Sequence, residues 1–197
     1  DNDVPLVIPE INKKKLKGKK LIANPNCTTA IALMALFPIF KLFGLSKVIM
    51  STYQAASGAG NKGMEDLKES IKKKILYDKT PDSKIFSYPL AFNVIPHIDE
   101  FQDNGYTKEE MKVAWEIRKI LDLPDLPVSC TAVRIPTLRA HSESISVETD
   151  ISIDYDMLRS EFNSFPGINL LDDTTNKIYP MPLTATNKYD VEVGRIR

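Results

Sequence analysis

The longest run of apolar residues lies near the start of the chain, directly after a short polar turn. Residues 20–24 are predicted to form a short buried strand, and the apolar run after the turn is predicted to be a helix from about Thr28. Proline has no N–H to donate, so we expect Pro38 to end or kink this helix and Gly44 to close a further turn. Because Pro38, Lys41 and Gly44 interrupt the run, it is typical of a core helix and not of a membrane span.

Alternation of apolar and polar residues predicts strands in the rest of the chain. Lys47–Gln54 is rich in strand-forming residues. Val128–Ile135 and Ser142–Thr149 share this character, and we expect them to be neighbouring antiparallel strands with one buried face. A final strand is predicted over 191–196. The opening stretch 1–19, with its prolines and lysines, is expected to be an extended connector with little structure of its own.

Three further segments have the periodicity or the end signals of helices. Met64–Ile75 places apolar residues on one face. Thr107 and Glu110 form a capping box, and the helix that they begin is predicted to run to about Leu121. Another helix is predicted over 155–163. Helices and strands thus mix along the chain, which predicts the α+β fold class with a mixed sheet.

Composition and charge exclude several classes of protein. The chain has 197 residues, of which 43% are hydrophobic, enough for one sizeable core. Its 26 basic and 26 acidic residues give a net charge of zero, so nothing electrostatic favours nucleic acid or a membrane as a partner. Two cysteines allow at most one disulfide, which indicates a reducing, cytoplasmic compartment. The chain opens at Asp1 without a methionine and stops just after a strand-like run, so we expect a piece of a longer protein.

The candidate chemistry centres on Cys27, at the corner between the first predicted strand and helix. The free N–H groups and positive end of a helix favour thiolate over thiol, and thiolate is the nucleophilic form. A buried structural cysteine is the alternative that the local sequence leaves open. Cys130 lies inside a predicted strand and is interpreted as structural. We therefore expect Cys27 to be the more reactive thiol, at pH values well below about 8.5.

A cysteine nucleophile also needs a proton acceptor and donor, and the chain offers two histidines, His97 and His141. His141 follows Arg134, whose fixed charge suits a carboxylate or a phosphate. Their spacing along a strand puts the two side chains on opposite faces unless Pro136 breaks the register. The sequence alone therefore does not bring them together.

Two further patterns each allow more than one interpretation. The stretch 58–63 matches G-x-G-x-x-G between a strand and a helix, but no second hydrophobic strand ending in an acidic residue follows where a dinucleotide fingerprint needs it. We interpret it as a small-residue loop that lets a ligand approach the backbone. Glu116 with Lys119, and Glu109 with Lys112, each suit a solvated ion pair, and nothing local ranks one pair above the other.

Five segments of the chain occur together, and in the same order, in one family of enzymes. They are 22–29, 51–60, 92–96, 134–143 and 193–197. On these segments the chain resembles the C-terminal catalytic and dimerisation domain of the aspartate-β-semialdehyde dehydrogenases, over nearly its whole length. The resemblance implies a single domain with the fold of glyceraldehyde-3-phosphate dehydrogenase-like enzymes, a mixed, largely antiparallel sheet with helices packed on one face.

The resemblance also implies roles for individual residues. Cys27 would be the nucleophile, Gln54 would orient the acyl-enzyme intermediate, and His141 would be the general acid and base. The other implied positions bind substrate or the NADP cofactor: Arg134 holds the substrate carboxylate, Glu116 its amino group, Lys119 the phosphate, Asn26 the substrate, and Ser57, Gly58, Ala59 and Gly60 the cofactor. No metal is implied.

The implied reaction is the reductive dephosphorylation of 4-phospho-L-aspartate. Cys27 thiolate displaces phosphate to give a thioester, and hydride from NADPH then releases L-aspartate 4-semialdehyde, in the biosynthesis of lysine and diaminopimelate, threonine and methionine. The chain would form a homodimer through this domain. The family's nucleotide-binding domain and its C-terminal helix are not in this sequence, so we expect an incomplete NADP site and an isolated chain that is inactive.

Two other functions stay open. N-acetyl-γ-glutamyl-phosphate reductases resemble this family in their cysteine and histidine chemistry but act on a longer acyl phosphate, and the stretch 51–54 favours the aspartyl substrate. The second alternative is a self-association module without catalysis, in which Cys27 would react no faster than a free thiol.

Overall fold

A three-stranded mixed sheet organises the chain, whose computed structural model describes residues 4–79 and 82–197. β1 (Lys47–Gln54) is the central strand of this sheet. β2 (Val128–Arg134) pairs with it in parallel, and β3 (Ser142–Glu148) pairs with it antiparallel. The predicted α+β class with a mixed sheet is confirmed.

Helices and a smaller sheet complete the architecture. β4 (Ile168–Leu170) and β5 (Val191–Val193) form a two-stranded parallel sheet. The helices are α1 (Pro9–Asn12), α2 (Cys27–Phe43), α3 (Gly60–Tyr77), α4 (Lys108–Leu121), α5 (Tyr155–Ser164) and α6 (Pro182–Ala185). Short 3₁₀ turns form at Lys13–Leu16 and Ala56–Ala59. Over the two described ranges, every helix is too short or too polar to cross a membrane.

Helices α2 and α4 cover one face of the three-stranded sheet. Val48 and Met50 point to that face from β1 and are 0% and 2% exposed, because every second residue of a strand faces the same way. Both belong to a core that also contains Leu33 of α2 and Ile117 of α4. Ile49, on the opposite face, is 49% exposed. The prediction of helices packed on one face of the sheet is confirmed.

The helix predicted after the polar turn is α2, which begins within one residue of the expected position. It does not end at Pro38 but continues to Phe43, so that part of the prediction is wrong. The helix is buried along much of its length, and this packing outweighs the one hydrogen bond that proline removes. Gly44 ends the helix with a φ of 72°, as the sequence predicts.

The first residues of the chain contribute to the core, so the prediction of an extended connector is wrong. Leu6 is 9% exposed and packs in the same core as α2 and β1, and a short helix follows it. The strand predicted over 20–24 is also wrong. Within that stretch only Ala23 pairs, in a single bridge to Leu6, and Leu21 is 67% exposed. Neighbouring prolines limit the N–H groups that a longer ladder would need. Residues 1–3 of the predicted connector lie outside the described ranges.

β2 and β3 flank β1 and do not pair with each other, so the prediction that they are neighbours is wrong. The segment 135–141 between them crosses over the end of β1. There the carbonyl oxygens of Thr137 and Leu138 accept hydrogen bonds from the N–H groups of Ala56 and Ser57, at 2.8 and 3.0 Å. β1 is buried on its helix-facing side and finds partners for its backbone groups at both edges. The crossing positions the candidate site.

The other predicted elements differ from the structure only near their ends. β1 has the predicted bounds, α4 starts from the predicted capping box, and α5 ends at Ser164, one residue beyond the prediction. The final strand stops at Val193. The small-residue loop is shorter than predicted, because α3 already begins at Gly60.

Candidate active site

The first turn of α2 is held by one asparagine. Asn26 Oδ1 accepts hydrogen bonds from the N–H groups of Thr28 and Thr29 at 2.9 and 3.4 Å, which satisfies two free donors of that turn. Its other polar groups bind two glutamates of α4. The backbone N–H donates to Glu116 Oε2 at 2.8 Å, and Nδ2 donates to Glu109 Oε1 at 3.0 Å. Helix α4 thereby fixes the turn that carries the candidate nucleophile.

Cys27 has an exposed side chain, yet its pKa is raised above its ordinary value. Desolvation by the surrounding protein is the largest cause, and the negative charge of Glu109 adds to it. The Thr28 hydroxyl, 3.9 Å from Sγ, and the backbone N–H groups of Cys27 and Thr28 lower the pKa. The predicted helix-start effect is present, but desolvation outweighs it. The expectation that this thiol ionises well below pH 8.5 is therefore wrong for the chain on its own.

The second cysteine has quite different surroundings. Cys130 is 2% exposed, within β2, and burial raises its pKa to about 12, with a further contribution from nearby glutamates. Both thiols are free. Of the two, Cys27 is the one that a reagent can reach.

Gln54 ends β1 beneath the start of α2 and is 2% exposed. Its Nε2 donates to Thr28 Oγ1 at 3.1 Å, to Thr52 Oγ1 at 3.3 Å and to Glu109 Oε1 at 3.4 Å. The side chain therefore connects the end of β1 with α2 and α4. It bonds the residue that follows Cys27.

The peptide groups of Ala55 join Arg134 and His141. Arg134 Nη1 donates to the Ala55 carbonyl oxygen at 2.8 Å, and the Ala55 N–H donates to His141 Nδ1 at 3.0 Å. The two side chains meet because β2 ends at Arg134 and the following segment crosses the end of β1. Because β2 ends at Arg134, the alternation of side chains along a strand does not continue to His141. The two side chains can therefore lie on the same side, a possibility that the sequence left open.

His141 is held as a neutral ring. Desolvation is the largest cause and the charge of Arg134 the second, and together they lower its pKa to about 4. Because Nδ1 accepts the Ala55 N–H, the proton of the neutral ring lies on Nε2. His141 therefore presents an N–H donor at its free nitrogen.

Arg134 is buried to 7% exposure, with its guanidinium 5.8 Å from the centre of the Phe86 ring. Desolvation lowers its pKa, whereas the negative charges of Glu109 and of an ionised Cys27 raise it. A planar, immobilised guanidinium in this position suits a carboxylate ligand.

The small residues after β1 are explained by this packing. A Cβ on Gly58 would lie 2.6 Å from Arg134 Nη1 and 3.4 Å from the His141 ring. Gly60 has a φ of 72°, which favours glycine, and open space around its Cα. The stretch forms a 3₁₀ turn leading into α3, with Gly58 and Gly60 exposed.

Glu109 is the site residue that sequence reasoning missed. It was interpreted as part of a solvated pair with Lys112, and that pair forms at 3.8 Å, yet Glu109 itself is 7% exposed. It bonds Asn26 and Gln54, as described above. The signal was available, since Glu109 lies four residues before the buried Val113 on the apolar face of α4. A carboxylate on the apolar face of a helix becomes buried, and a buried carboxylate needs a specific hydrogen-bond or ionic partner.

Glu116 and Lys119 lie further along α4. Glu116 is half-buried against the backbone of Asn26, whereas Lys119 is exposed. Both line an open hollow of about 340 Å³, together with Trp115 and the N-terminal residues Val4, Leu6 and Ala23. The structure therefore places Glu116 in contact with Asn26, and Lys119 in a hollow that is lined by neither Cys27, Arg134 nor His141.

This arrangement can carry out acyl transfer through a covalent cysteine intermediate. It provides a reachable thiol at a helix start, a cation close to the thiolate, and an imidazole N–H donor. Among the residues described, no group of three or more histidine, cysteine or acidic side chains is arranged to hold a metal ion. The fold and the site thus define the class as an α+β domain that carries a reachable cysteine at the start of a helix.

Comparisons with known proteins agree with this class. The family model described as "Semialdehyde dehydrogenase, dimerisation domain" matches residues 36–197. Aspartate-semialdehyde dehydrogenase of Bacillus subtilis is 47% identical over 208 residues, which cover 100% of this chain and 59% of that protein. Two crystal structures of aspartate semialdehyde dehydrogenase II from Vibrio cholerae, one complexed with ASA, superpose with a TM-score of 0.94. They are 40% and 39% identical and cover 100% of this chain and 59% of theirs.

A more distant structure has the same fold. The aspartate semialdehyde dehydrogenase of Candida albicans with NADP has a TM-score of 0.72 at 22% identity, covering 99% of this chain and 58% of that one. The chain belongs to the semialdehyde dehydrogenase dimerisation domain family. It spans about 59% of the length of the curated relatives it matches.

Proposed function

We propose that this chain is the substrate-binding and dimerising domain of an NADP-dependent aspartate-semialdehyde dehydrogenase. The reaction is the reductive dephosphorylation of 4-phospho-L-aspartate to L-aspartate 4-semialdehyde, a step in lysine and diaminopimelate, threonine and methionine biosynthesis. The observation that carries the proposal is the set of hydrogen bonds at two consecutive residues, in which Gln54 bonds the turn of Cys27 and Ala55 bonds Arg134 and His141. Two unpaired cysteines support a reducing, cytoplasmic location.

Cys27 is proposed to form the acyl-enzyme. Its thiolate attacks the acyl carbon, a C–S bond forms, the C–O bond to phosphate breaks, and phosphate leaves with the electron pair. The chain must first overcome the desolvation that raises the pKa of this thiol. The neighbouring Arg134 charge and the N–H groups of the first turn of α2 stabilise the thiolate that forms.

His141 is proposed to act at its Nε2 atom. With Nδ1 bound to the Ala55 N–H, the Nε2–H can donate to the substrate oxygen on which negative charge develops. Taking up a proton requires Nδ1 and breaks the bond to Ala55. The low pKa keeps the ring neutral through the physiological range, so its Nε2–H stays available as a hydrogen-bond donor.

Substrate recognition is assigned to residues around the same turn. Arg134 would bind the substrate carboxylate, and its bond to Ala55 holds the guanidinium in a fixed orientation. Glu116 would bind the amino group, and Lys119, at the rim of the hollow, would attract the phosphate. Asn26 supports these groups by fixing the first turn of α2.

The cofactor contact is assigned to Ser57, Gly58, Ala59 and Gly60. Gly60 fits this role because it has open space beside it, whereas any side chain at Gly58 would displace Arg134. NADPH supplies the hydride that reduces the thioester. Because their side chains are small or absent, these four residues would let the cofactor approach the reacting carbon closely, and the bound cofactor would exclude water from it.

A homodimer is proposed to form through the open face of the three-stranded sheet. Ile49 and Tyr53 point out from β1 on that face and are 49% and 40% exposed. Ser144 and Ser146 of β3 lie beside them. Exposed apolar residues among small polar ones suit a second copy of the same surface. Sedimentation velocity of this chain checks the proposal, which a monomer at tens of micromolar would contradict.

The activity assay uses the longest form of the protein that carries this chain. Phosphate-dependent reduction of NADP by L-aspartate 4-semialdehyde is expected, together with slow or no turnover of the N-acetyl-γ-glutamyl analogue. Preference for the longer substrate would instead support an N-acetyl-γ-glutamyl-phosphate reductase. If neither substrate reacts while the chain still self-associates, the chain is a self-association module.

A further inference from the structure

Only part of the Arg134 guanidinium is bonded within the chain. Its Nη1 donates to the Ala55 carbonyl oxygen at 2.8 Å. Among the residues that the structure describes, Nε and Nη2 have no hydrogen-bond partner, and neither nitrogen is fully enclosed. The residue as a whole is nevertheless only 7% exposed. A buried guanidinium with free N–H groups needs contacts other than hydrogen bonds to keep one orientation.

The ring of Phe86 supplies such a contact. The guanidinium carbon of Arg134 lies over this ring, 5.8 Å from its centre. The face of an aromatic ring carries partial negative charge, so it attracts a cation, and the attraction is stronger where water is excluded. Desolvation lowers the pKa of Arg134, and a negative ring face offsets part of the cost of burying that charge.

Phe86 is itself fixed by α3, through its backbone and through its ring. Ser83 Oγ accepts hydrogen bonds from the N–H groups of Ile85 and Phe86 at 3.1 and 2.8 Å, and it donates to Asp66 Oδ2 of α3 at 2.8 Å. The half-buried ring packs against the apolar cluster around Leu67, which is 0% exposed. A ring held at both places is able to hold a neighbouring side chain in turn.

Two glycines make room for this pair, and both belong to the stretch 58–63 that matches G-x-G-x-x-G. A Cβ on Gly58 would lie 2.6 Å from Arg134 Nη1. A Cβ on Gly63 would lie 3.2 Å from Phe86 Cζ, and closer still to the 3₁₀ turn before α3. The first and last glycines of the pattern are therefore explained by the packing of an arginine and a phenylalanine side by side.

We propose that Phe86 is a positioning residue, whose ring face holds the Arg134 guanidinium so that its free N–H groups meet a carboxylate in one orientation. The effect on turnover rests on the proposed function, in which Arg134 binds the substrate carboxylate. The geometric part stands on the ring contact and the two glycines alone. A carboxylate binds best to two parallel N–H groups, so a tilted guanidinium weakens substrate binding more than the chemical step.

The first test follows the Nε–H resonance of Arg134 by NMR in this 197-residue chain, with the resonance assigned by its loss in Arg134→Lys. In Phe86→Leu we expect it to move, because the ring no longer shields it, and rotation about the Cζ–Nε bond to become about threefold faster. The matched control is Phe92→Leu, which removes a 68% exposed ring and should change neither quantity. An unmoved resonance with unchanged rotation in Phe86→Leu would overturn the proposal.

The second test keeps the shape of the ring, in case Phe86→Leu fails to fold. Phe86 is replaced by a phenylalanine that carries fluorine at both meta carbons, which withdraws negative charge from the ring face and nearly preserves the apolar packing. Rotation about the Cζ–Nε bond of Arg134 should become about twofold faster. Equal rotation rates in the fluorinated and unaltered chains would show that the ring acts by packing alone, which contradicts the proposal.

The third test measures turnover in the longest form of the protein. Phe86→Leu should raise KM for L-aspartate 4-semialdehyde about fivefold and change kcat less than about twofold, whereas Phe92→Leu should leave both constants in place. An unchanged KM in Phe86→Leu would overturn the part of the proposal that concerns substrate. If the unaltered protein does not oxidise the semialdehyde at all, the proposed function fails, while the NMR result still decides whether Phe86 positions Arg134.

Discussion

The two halves of the inner face of β1 are equally buried and have opposite chemistry. Val48 and Met50 are 0% and 2% exposed, and Thr52 and Gln54 are also 0% and 2% exposed. The first pair packs in the apolar core under α2 and α4. The second pair is held by hydrogen bonds that reach α2, α4 and β2. Burial alone therefore does not distinguish structure from function on this strand, whereas the type of partner does.

The difference matters because apolar packing and hydrogen bonding respond differently to change. An apolar contact loses free energy roughly in proportion to the atoms removed, and its surroundings relax in part. A buried hydrogen bond is directional, and losing one partner leaves the other unsatisfied. The polar half can thus hold the turn of Cys27, the start of α4 and the end of β2 in one geometry, which the apolar half could not do.

The largest expected effect lies at the polar half and leaves the apolar half unchanged. Cys27→Ser in the longest form of the protein should lower kcat at least about 10⁴-fold, because a serine hydroxyl is a far weaker nucleophile at neutral pH. The steady-state semialdehyde assay measures this loss, and the free energy of unfolding should change by less than about 1 kcal/mol. Cys130→Ala is the control, and a similar loss of activity there would break the contrast.

The next effect lies at the apolar half. Met50→Ala should lower the free energy of unfolding by about 2–5 kcal/mol, since it leaves a cavity in the core. Urea unfolding followed by circular dichroism measures the change. Ile49→Ala, on the 49% exposed outer face, should cost less than about 1 kcal/mol. The alkylation profile of Cys27 in folded Met50→Ala should match that of the unaltered chain; a shifted profile would show that the halves are coupled.

A pH dependence is expected from the histidine at the polar half. The pKa of His141 falls from 6.5 to about 4 on folding, so the unfolded chain binds a proton that the folded chain does not. Stability is present above pH 6.5 and is lost as the pH falls toward 4, by up to about 3 kcal/mol. His141→Asn should remove this loss between pH 7 and pH 4.5 in urea unfolding, whereas His97→Asn should retain it. Equal acid loss in both variants would contradict this assignment.

The smallest effect concerns the carboxyl group of Glu143, a residue of β3 that lies opposite Thr52 in the polar half of β1. Neither of its oxygens has a hydrogen-bond partner among the described residues. Burial raises its pKa well above 4.5, so stability is lost as the pH rises above that value. Glu143→Met should stabilise the chain by about 1–2 kcal/mol at pH 7 and not below pH 4. Glu148→Met, at an exposed position, is the control; no gain at pH 7 would mean that Glu143 has a partner in solution.

Local patterns predicted the elements well and their neighbours poorly. The bounds of β1 and the start of α4 follow from alternation and from a capping box, which depend on a few consecutive residues. The order of the strands depends on the path of 135–141 over the end of β1, and no local pattern encodes that path. The opening stretch through Leu6 was mistaken for a connector because prolines around it suggested extension, while its burial depends on distant helices.

The candidate site shows the same limit. Cys27, Gln54, Arg134 and His141 were chosen from the sequence with the help of a family resemblance, and the structure brings their surroundings together through Ala55 and Thr28. The directions of their pKa shifts could not be predicted from the sequence in that way. Desolvation raises the pKa of Cys27, against the local expectation of a helix start, because it depends on everything packed around the sulfur.

The sequence by itself determined that Cys27 stands at the start of a long apolar helix and that strands and helices mix. It also showed that Arg134 and His141 are available as polar site residues. Periodicity, caps and turns are local, so the chain displays them directly. Only the tertiary structure decided that β1 lies between β2 and β3, that Ala55 joins Arg134 to His141, and that Glu109 lies inside the site. Those facts arise from contacts between residues far apart in the chain, and such contacts depend on how the whole core packs.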